Sequence, residues 1–120
     1  MSNVYVVSIG LNVGEREPAA QLSTTLGAAA LAFGPLLSVA MGASEWEGVP
    51  ERFVQCAVLC SKAAIESGAR TLAAHLRQEC IAYARPDAEC WALAYPDQRG
   101  IMEGGAVADF PIIAAYPSEE

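Results

Sequence analysis

Asn3-Val-Tyr-Val-Val-Ser-Ile-Gly-Leu-Asn-Val-Gly14, continued by Glu15-Arg16-Glu17-Pro18 and an alanine-rich stretch from Ala19, is the segment that decides the fold. Val4 to Ile9 is β-branched or aromatic on both faces, as in a central strand covered on at least one side. Gly10 and Gly14 bracket a turn. Pro18 suits a first helical turn, and Glu15 and Glu17 stand where a helix N-terminus favours negative charge. Leu22, Leu26, Ala29, Ala30 and Phe33 then follow helical spacing, with Gln21, Ser23 and Thr24 on the other side. Gly34-Pro35 stops this helix.

Outward from that segment, Leu36 to Trp46 alternates as a second strand, and Arg52 to Cys60 reads as a third with Val54, Cys56, Val58 and Cys60 on one apolar face. The turn between them, Glu47 to Glu51, is too long for a two-residue hairpin loop. Ser61 can cap a second helix from Ala63 to about Gln78, whose buried stripe is Ile65, Ala69, Leu72 and Leu76. Glu66 and Arg70 form an i, i+4 pair on its solvent side. Cys80 to Ala84 and Cys90 to Tyr95 are short strands around the turn Arg85-Pro86-Asp87-Ala88. Pro96 to Gly105 reads as loop, and Phe110 to Tyr116 as a last strand that Pro111 confines to an edge. The order β-α-β-β-α-β predicts an α+β, ferredoxin-like sandwich: two helices on one face of a mainly antiparallel sheet, with an extra C-terminal strand or hairpin. No repeat or linker divides the 120 residues, so a single domain spanning 1–120 is expected, with 117–120 a frayed tail.

Half the chain is apolar (53%), and fourteen acidic residues against seven basic ones give a formal charge of −7. That excludes global disorder and argues against binding nucleic acid or anionic membranes directly. Cys56 and Cys60 lie four apart in a strand, roughly 13 Å at about 3.3 Å per residue, too far to bridge or share an ion. With one histidine to help, the four cysteines read as free thiols of a reducing cytoplasm, and no metal or cofactor is expected. No secretion signal is visible. Leu26 to Ala43 is uncharged and nearly long enough to span a membrane, but Gly34-Pro35 interrupts it and its far flank is acidic.

The Gly10–Asn12–Gly14 turn is a candidate ligand turn, although Glu15 and Glu17 would repel an anion there and the phosphate-binding glycine fingerprints are absent. Glu45, Trp46, Glu47 and Glu51 make the densest acidic patch, a candidate protein-contact site with the tryptophan as anchor. His75 stands at the edge of an apolar stripe with no nucleophile one turn away. No catalytic constellation emerges.

Ser8 to Glu17 resembles the opening glycine–asparagine motif of hydroxymethyldihydropterin pyrophosphokinases, and Ser44 to Pro50 with Arg52-Phe53-Val54-Gln55 resembles that family's second loop and following strand. Leu72 to Arg85 is loosely similar to its second helix. The resemblance covers about two thirds of the chain and implies a ferredoxin-like fold binding ATP and a pterin. Leu11 stands in place of the motif's serine, and Gln55 in place of a pterin-contacting asparagine. The arginine-rich segment and paired Asp-x-Asp that hold ATP and magnesium have no counterpart: after Arg85 the only aspartates are Asp87, Asp97 and Asp109, and Glu89 with Asp87 is the one pair of acids two residues apart.

Three functions are therefore weighed. The first is a non-enzymatic inhibitor that presents its acidic surface to a basic protein, such as a nucleic-acid-binding one, in the manner of phage- or plasmid-type anti-CRISPR-like or DNA-mimic proteins. The second is a small-molecule or nucleotide-binding enzyme using Gly10, Asn12 and Gly14. The third is a structural homodimer formed through an exposed sheet face. The first is preferred at this stage.

Overall fold

A computed structural model describes residues 3–11, 18–46, 48–97 and 101–114, excluding the side chains of residues 18–20, 44–46, 49 and 50. The elements are β1 (Asn3–Leu11), α1 (Pro18–Phe33), β2 (Leu36–Trp46), β3 (Val49–Cys60), α2 (Lys62–Leu76), β4 (Ile81–Ala84), β5 (Cys90–Ala94) and β6 (Ile101–Ala106). They form one six-stranded sheet in the order β2-β3-β1-β4-β5-β6, with every ladder antiparallel. The first four strands in that order are the ferredoxin-like arrangement, and β5 and β6 extend it. Among the described residues, no helix is long and apolar enough to cross a membrane.

The two faces of the sheet are covered differently. On one, Tyr5, Val7 and Ile9 of β1 and Val54, Cys56 and Val58 of β3 are buried against Ala29 and Phe33 of α1 and Ile65, Ala69 and Leu72 of α2. The expected apolar face of β3 and stripe of α2 are therefore in place. Ser61 caps α2 as expected, its Oγ accepting from the Ala64 N–H at 3.1 Å. Helix α1 departs from expectation: Thr25 and Ala28 are buried, whereas Ala30 is exposed and Leu31 is 90% exposed. Its lack of charge thus does not come from being enclosed; the outward face carries Ser23, Thr24 and Gly27 instead.

The other face is crossed by residues 107–114. Val6, Ala84, Trp91 and Ala114 form a second apolar cluster, with Ala40, Ala82, Val107 and Ile112 packed on it. Gln55, 1% exposed in the middle of β3, holds this strap with its whole amide. Its Nε2 donates to the Pro111 carbonyl (3.1 Å), and its Oε1 accepts from the Ile113 N–H (2.8 Å) and the Ala114 N–H (3.3 Å). Trp91 Nε1 donates to the Phe110 carbonyl at 2.9 Å. A buried amide that satisfies three main-chain groups replaces the ladder those groups lack.

Three local expectations are corrected. Residues 110–114 are this strap, not an edge strand. Residues 101–106 are strand β6, not loop, because Gly104 is a packing residue and not a turn: a Cβ there would lie 2.9 Å from Leu93 Cγ on β5. The β2–β3 connection is short. Trp46 pairs with Val49 and Glu45 with Pro50, leaving residues 47 and 48, and Gly48 supplies the positive φ (80°) a two-residue turn needs. The expected frayed tail, 117–120, lies outside the described residues.

Two outcomes follow from this packing. Gln55→Leu keeps the volume but strands the Ile113 and Ala114 amides, and should cost about 2–3 kcal/mol in urea unfolding; an unchanged midpoint would mean that the strap does not depend on the amide. Burial also pushes the Cys56 thiol up to about 11, and burial with the nearby Glu66 carboxylate pushes the Tyr83 hydroxyl up to about 12. In the unfolded chain these groups ionise earlier, near about 8.5 and about 10. The folded state therefore holds protons that the unfolded state has already lost. These two groups leave stability unchanged below about pH 8.5 and lower it as pH rises toward 11, with a shallower fall in Cys56→Ala; urea midpoints across that range measure it.

Candidate functional site

One end of the sheet gathers the chain's irregular polar segments. β1 leaves there at Leu11, α2 ends there, β4 starts and β5 finishes, with Ser8 opposite Ala82 and Ile81 opposite Ala94. Helix α2 must turn sharply to enter β4, and no glycine is present to help. Arg77 takes the left-handed conformation (φ 55°, ψ 40°), its N–H reaching the Ala74 carbonyl (3.3 Å), and the Gln78 N–H reaches the Ala73 carbonyl (2.9 Å). Arg77 is the one non-glycine residue with positive φ among the described residues. Such a conformation costs an L-residue about 1 kcal/mol, and strain of this kind concentrates at functional sites.

Beyond this cap opens a cleft of about 760 Å³, lined by Ala73, Ala74 and residues 77–79 on one side and by Tyr95, Pro96 and Asp97 on the other. Gln78 fixes its back: Nε2 donates to the Gly10 carbonyl at 2.9 Å, tying the end of α2 to the end of β1. At the sheet margin the Tyr95 hydroxyl hydrogen-bonds the Cys80 sulfur, joining the ends of β4 and β5. Burial raises the Cys80 thiol, an effect that the Tyr95 contact lowers only in part and the Glu79 carboxylate adds to. Cys80 is therefore protonated at neutral pH and is a positioning contact for the ring, not a thiolate nucleophile. The Tyr95 hydroxyl is raised in turn, chiefly by Cys80. The cleft thus offers one half-buried aromatic ring, two exposed carboxylates (Glu79, Asp97) and one exposed guanidinium (Arg77).

Of the residues singled out in the sequence, Gly10 lies at this end and contributes its carbonyl to Gln78; Asn12 and Gly14 lie outside the described residues. Glu45 and Trp46 stand in the ladder at the tip of the β2–β3 hairpin and Glu51 is exposed across from Ser44, while Glu47 lies outside the described residues. That hairpin tip is at the same end of the sheet but on the far side of β1 from the cleft, so the two candidate groups do not form one site. His75 is exposed in the last turn of α2, not at the edge of the core. Gln55, aligned by resemblance with a ligand-contacting asparagine, is engaged by the strap. No group of three or more potential metal ligands occurs among the described residues.

Sequence reasoning missed Arg77, Gln78, Glu79, Tyr95 and Asp97. One signal was available. Leu76-Arg77-Gln78-Glu79-Cys80 passes from helix to strand with neither glycine nor proline.

No protein-family profile matches the chain, and a comparison with curated proteins found no match in sequence. Among solved structures, the fold is similar to that of a phage SAM lyase in complex with S-methyl-5'-thioadenosine, at a TM-score of 0.45 and 14% identity, over 87% of this chain and 89% of that one. This likeness corrects the preference for a non-enzymatic protein, and with it the inhibitor and anti-CRISPR-like descriptions.

Replacing Arg77 by glycine relieves the left-handed cap. Arg77→Gly should stabilise the fold by about 1 kcal/mol, raising the melting temperature by about 4 °C. A melting temperature at or below that of the wild type would show that contacts of the Arg77 side chain offset the strain.

Proposed function

We propose that the chain is a small-molecule enzyme that takes a nucleoside-type ligand in the cleft between the end of α2 and the end of β5. The observation that carries this reading is the placement of the Tyr95 ring and the Glu79 and Asp97 carboxylates around one space of about 760 Å³. That volume suits a nucleoside-sized molecule. An aromatic ring stacks on a base, and carboxylates accept from ribose hydroxyls or face a cationic centre. Arg77 is the group able to meet a carboxylate on the ligand. Two carboxylates against one guanidinium, on a chain of formal charge −7, disfavour a polyphosphate. The ligand class is therefore a neutral or cationic nucleoside, with Glu79 and Asp97 as the groups able to accept a proton from it. The finer resemblance to pterin pyrophosphokinases enters the same test through its own ligands.

Thermal shift with S-adenosylmethionine, S-methyl-5'-thioadenosine, adenosine, ATP and hydroxymethyldihydropterin separates these readings. At concentrations about 100 times the dissociation constant, a binder stabilises by about 2.7 kcal/mol. The expected pattern is a rise with the nucleosides, none with ATP, and loss of the rise in Tyr95→Ala and Glu79→Gln. Chromatography of each stabilising compound after incubation then reads turnover. No shift with any nucleoside at millimolar concentration would end the proposal; a shift with ATP and the pterin alone would transfer the reading to the pyrophosphokinase class.

A further inference from the structure

The helices cover the centre of the sheet and leave its outer strand short of cover. Val39 and Met41 of β2 pair with Cys56 and Val54, which are buried beneath the helices, so they face the helix side too. Yet they are 44% and 48% exposed. Leu37, at the bulge that opens the strand, is also exposed, and Leu36 to Ala43 contains no charged residue. β2 has no neighbouring strand on its outer side among the described residues. The opposite edge differs: β6 has six residues, among them Glu103 and two glycines. Charge and short length are how sheet edges avoid pairing, and β2, with eleven residues, shows neither over its first eight.

We infer that β2 pairs with β2 of a second copy, antiparallel across a two-fold axis near Ala40 and Met41. This register sets Val39 and Met41 of each copy against those of the other, on the same side of one continuous sheet. It also sends the two hairpin tips to opposite ends of the interface, so Glu45 of one copy is remote from that of the other. No other occupant matches itself in this way: the edge is self-complementary and offers no charge for a foreign partner to read. The homodimer is thus assigned to an edge, not to the sheet face, whose centre the strap covers. Six to eight paired residues span about 20–27 Å, and the buried area is on the order of 1,000 Å² in total. The dimer is accordingly weak, with a dissociation constant on the order of micromolar. Two copies of formal charge −7 repel, so salt strengthens it. The cleft lies on the other side of β1 and stays open in both copies.

Sedimentation velocity from about 5 to about 500 µM, in about 0.15 and about 0.5 M sodium chloride, tests this. The mass should rise with concentration toward twice the monomer's 12.6 kDa, and at lower concentration in the higher salt. Met41→Lys and Val39→Lys should each weaken association at least about tenfold, about 1.4 kcal/mol, with the melting temperature and any ligand-induced shift retained. Should either variant misfold, hydrogen exchange of the wild type decides: amides of residues 39–43 must gain protection with concentration. A monomer at about 500 µM in both salts, a trimer or larger ring, a dimer indifferent to both substitutions, or exchange at 39–43 independent of concentration would each overturn the inference.

Discussion

Two adjacent strands that are apolar on both sides need a layer on each, and β1 and β3 are such a pair. Val7 and Cys56 are fully buried toward the helices; Val6 and Ala57, on the opposite side, are fully buried as well. A ferredoxin-like arrangement of two helices supplies only one layer. The second is a strap of irregular chain, and irregular chain cannot lie on an apolar surface unless its amides and carbonyls find partners. Gln55 supplies them. Its position in the middle of β3, flanked by Val54 and Cys56, places a polar group just where the strap's backbone passes.

The cleft follows from the same economy of layers. Because α2 lies on the sheet and β4 must re-enter it beside β1, the chain has to reverse within the four residues 77–80. It does so through a left-handed arginine and a glutamine that reaches back to Gly10. The reversal holds polar side chains away from the core and facing Tyr95 and Asp97, the residues by which β5 leaves the sheet. A site built this way owes its shape to the ends of regular elements, which are stiff, and its chemistry to the loops between them.

Much of the architecture was legible because it rests on local signals. Alternation marked β2 and β3, helical spacing marked α2, and Ser61 marked its start. What misled were residues with two meanings. Gly104-Gly105 looked like a turn because glycine usually marks one; here Gly104 is needed because Leu93 leaves no room for a side chain. Glu47 to Glu51 read as the turn, yet β3 already begins at Val49 and runs through Pro50. The candidate site was less legible still. Gly10 was singled out, and its carbonyl accepts from Gln78 behind the cleft, but the cleft's own lining was not: Arg77 to Glu79 and Tyr95 to Asp97 are about twenty residues apart in sequence and meet only through the β4–β5 pairing. The acidic patch at Glu45 to Glu51 drew attention by density alone, and density says nothing of depth.

The strap also bears on how the fold is reached. Its bonds to Gln55 join residues 56 to 59 positions apart, and closing a loop of that length precedes any reward from the contact. Helix α2 and the β2–β3 hairpin, by contrast, involve near neighbours. The strap is therefore expected to form late, after the rate-limiting structure. Weakening it is expected to leave the folding rate nearly unchanged and to accelerate unfolding, so that this short stretch governs the lifetime of the native state more than the speed of its formation.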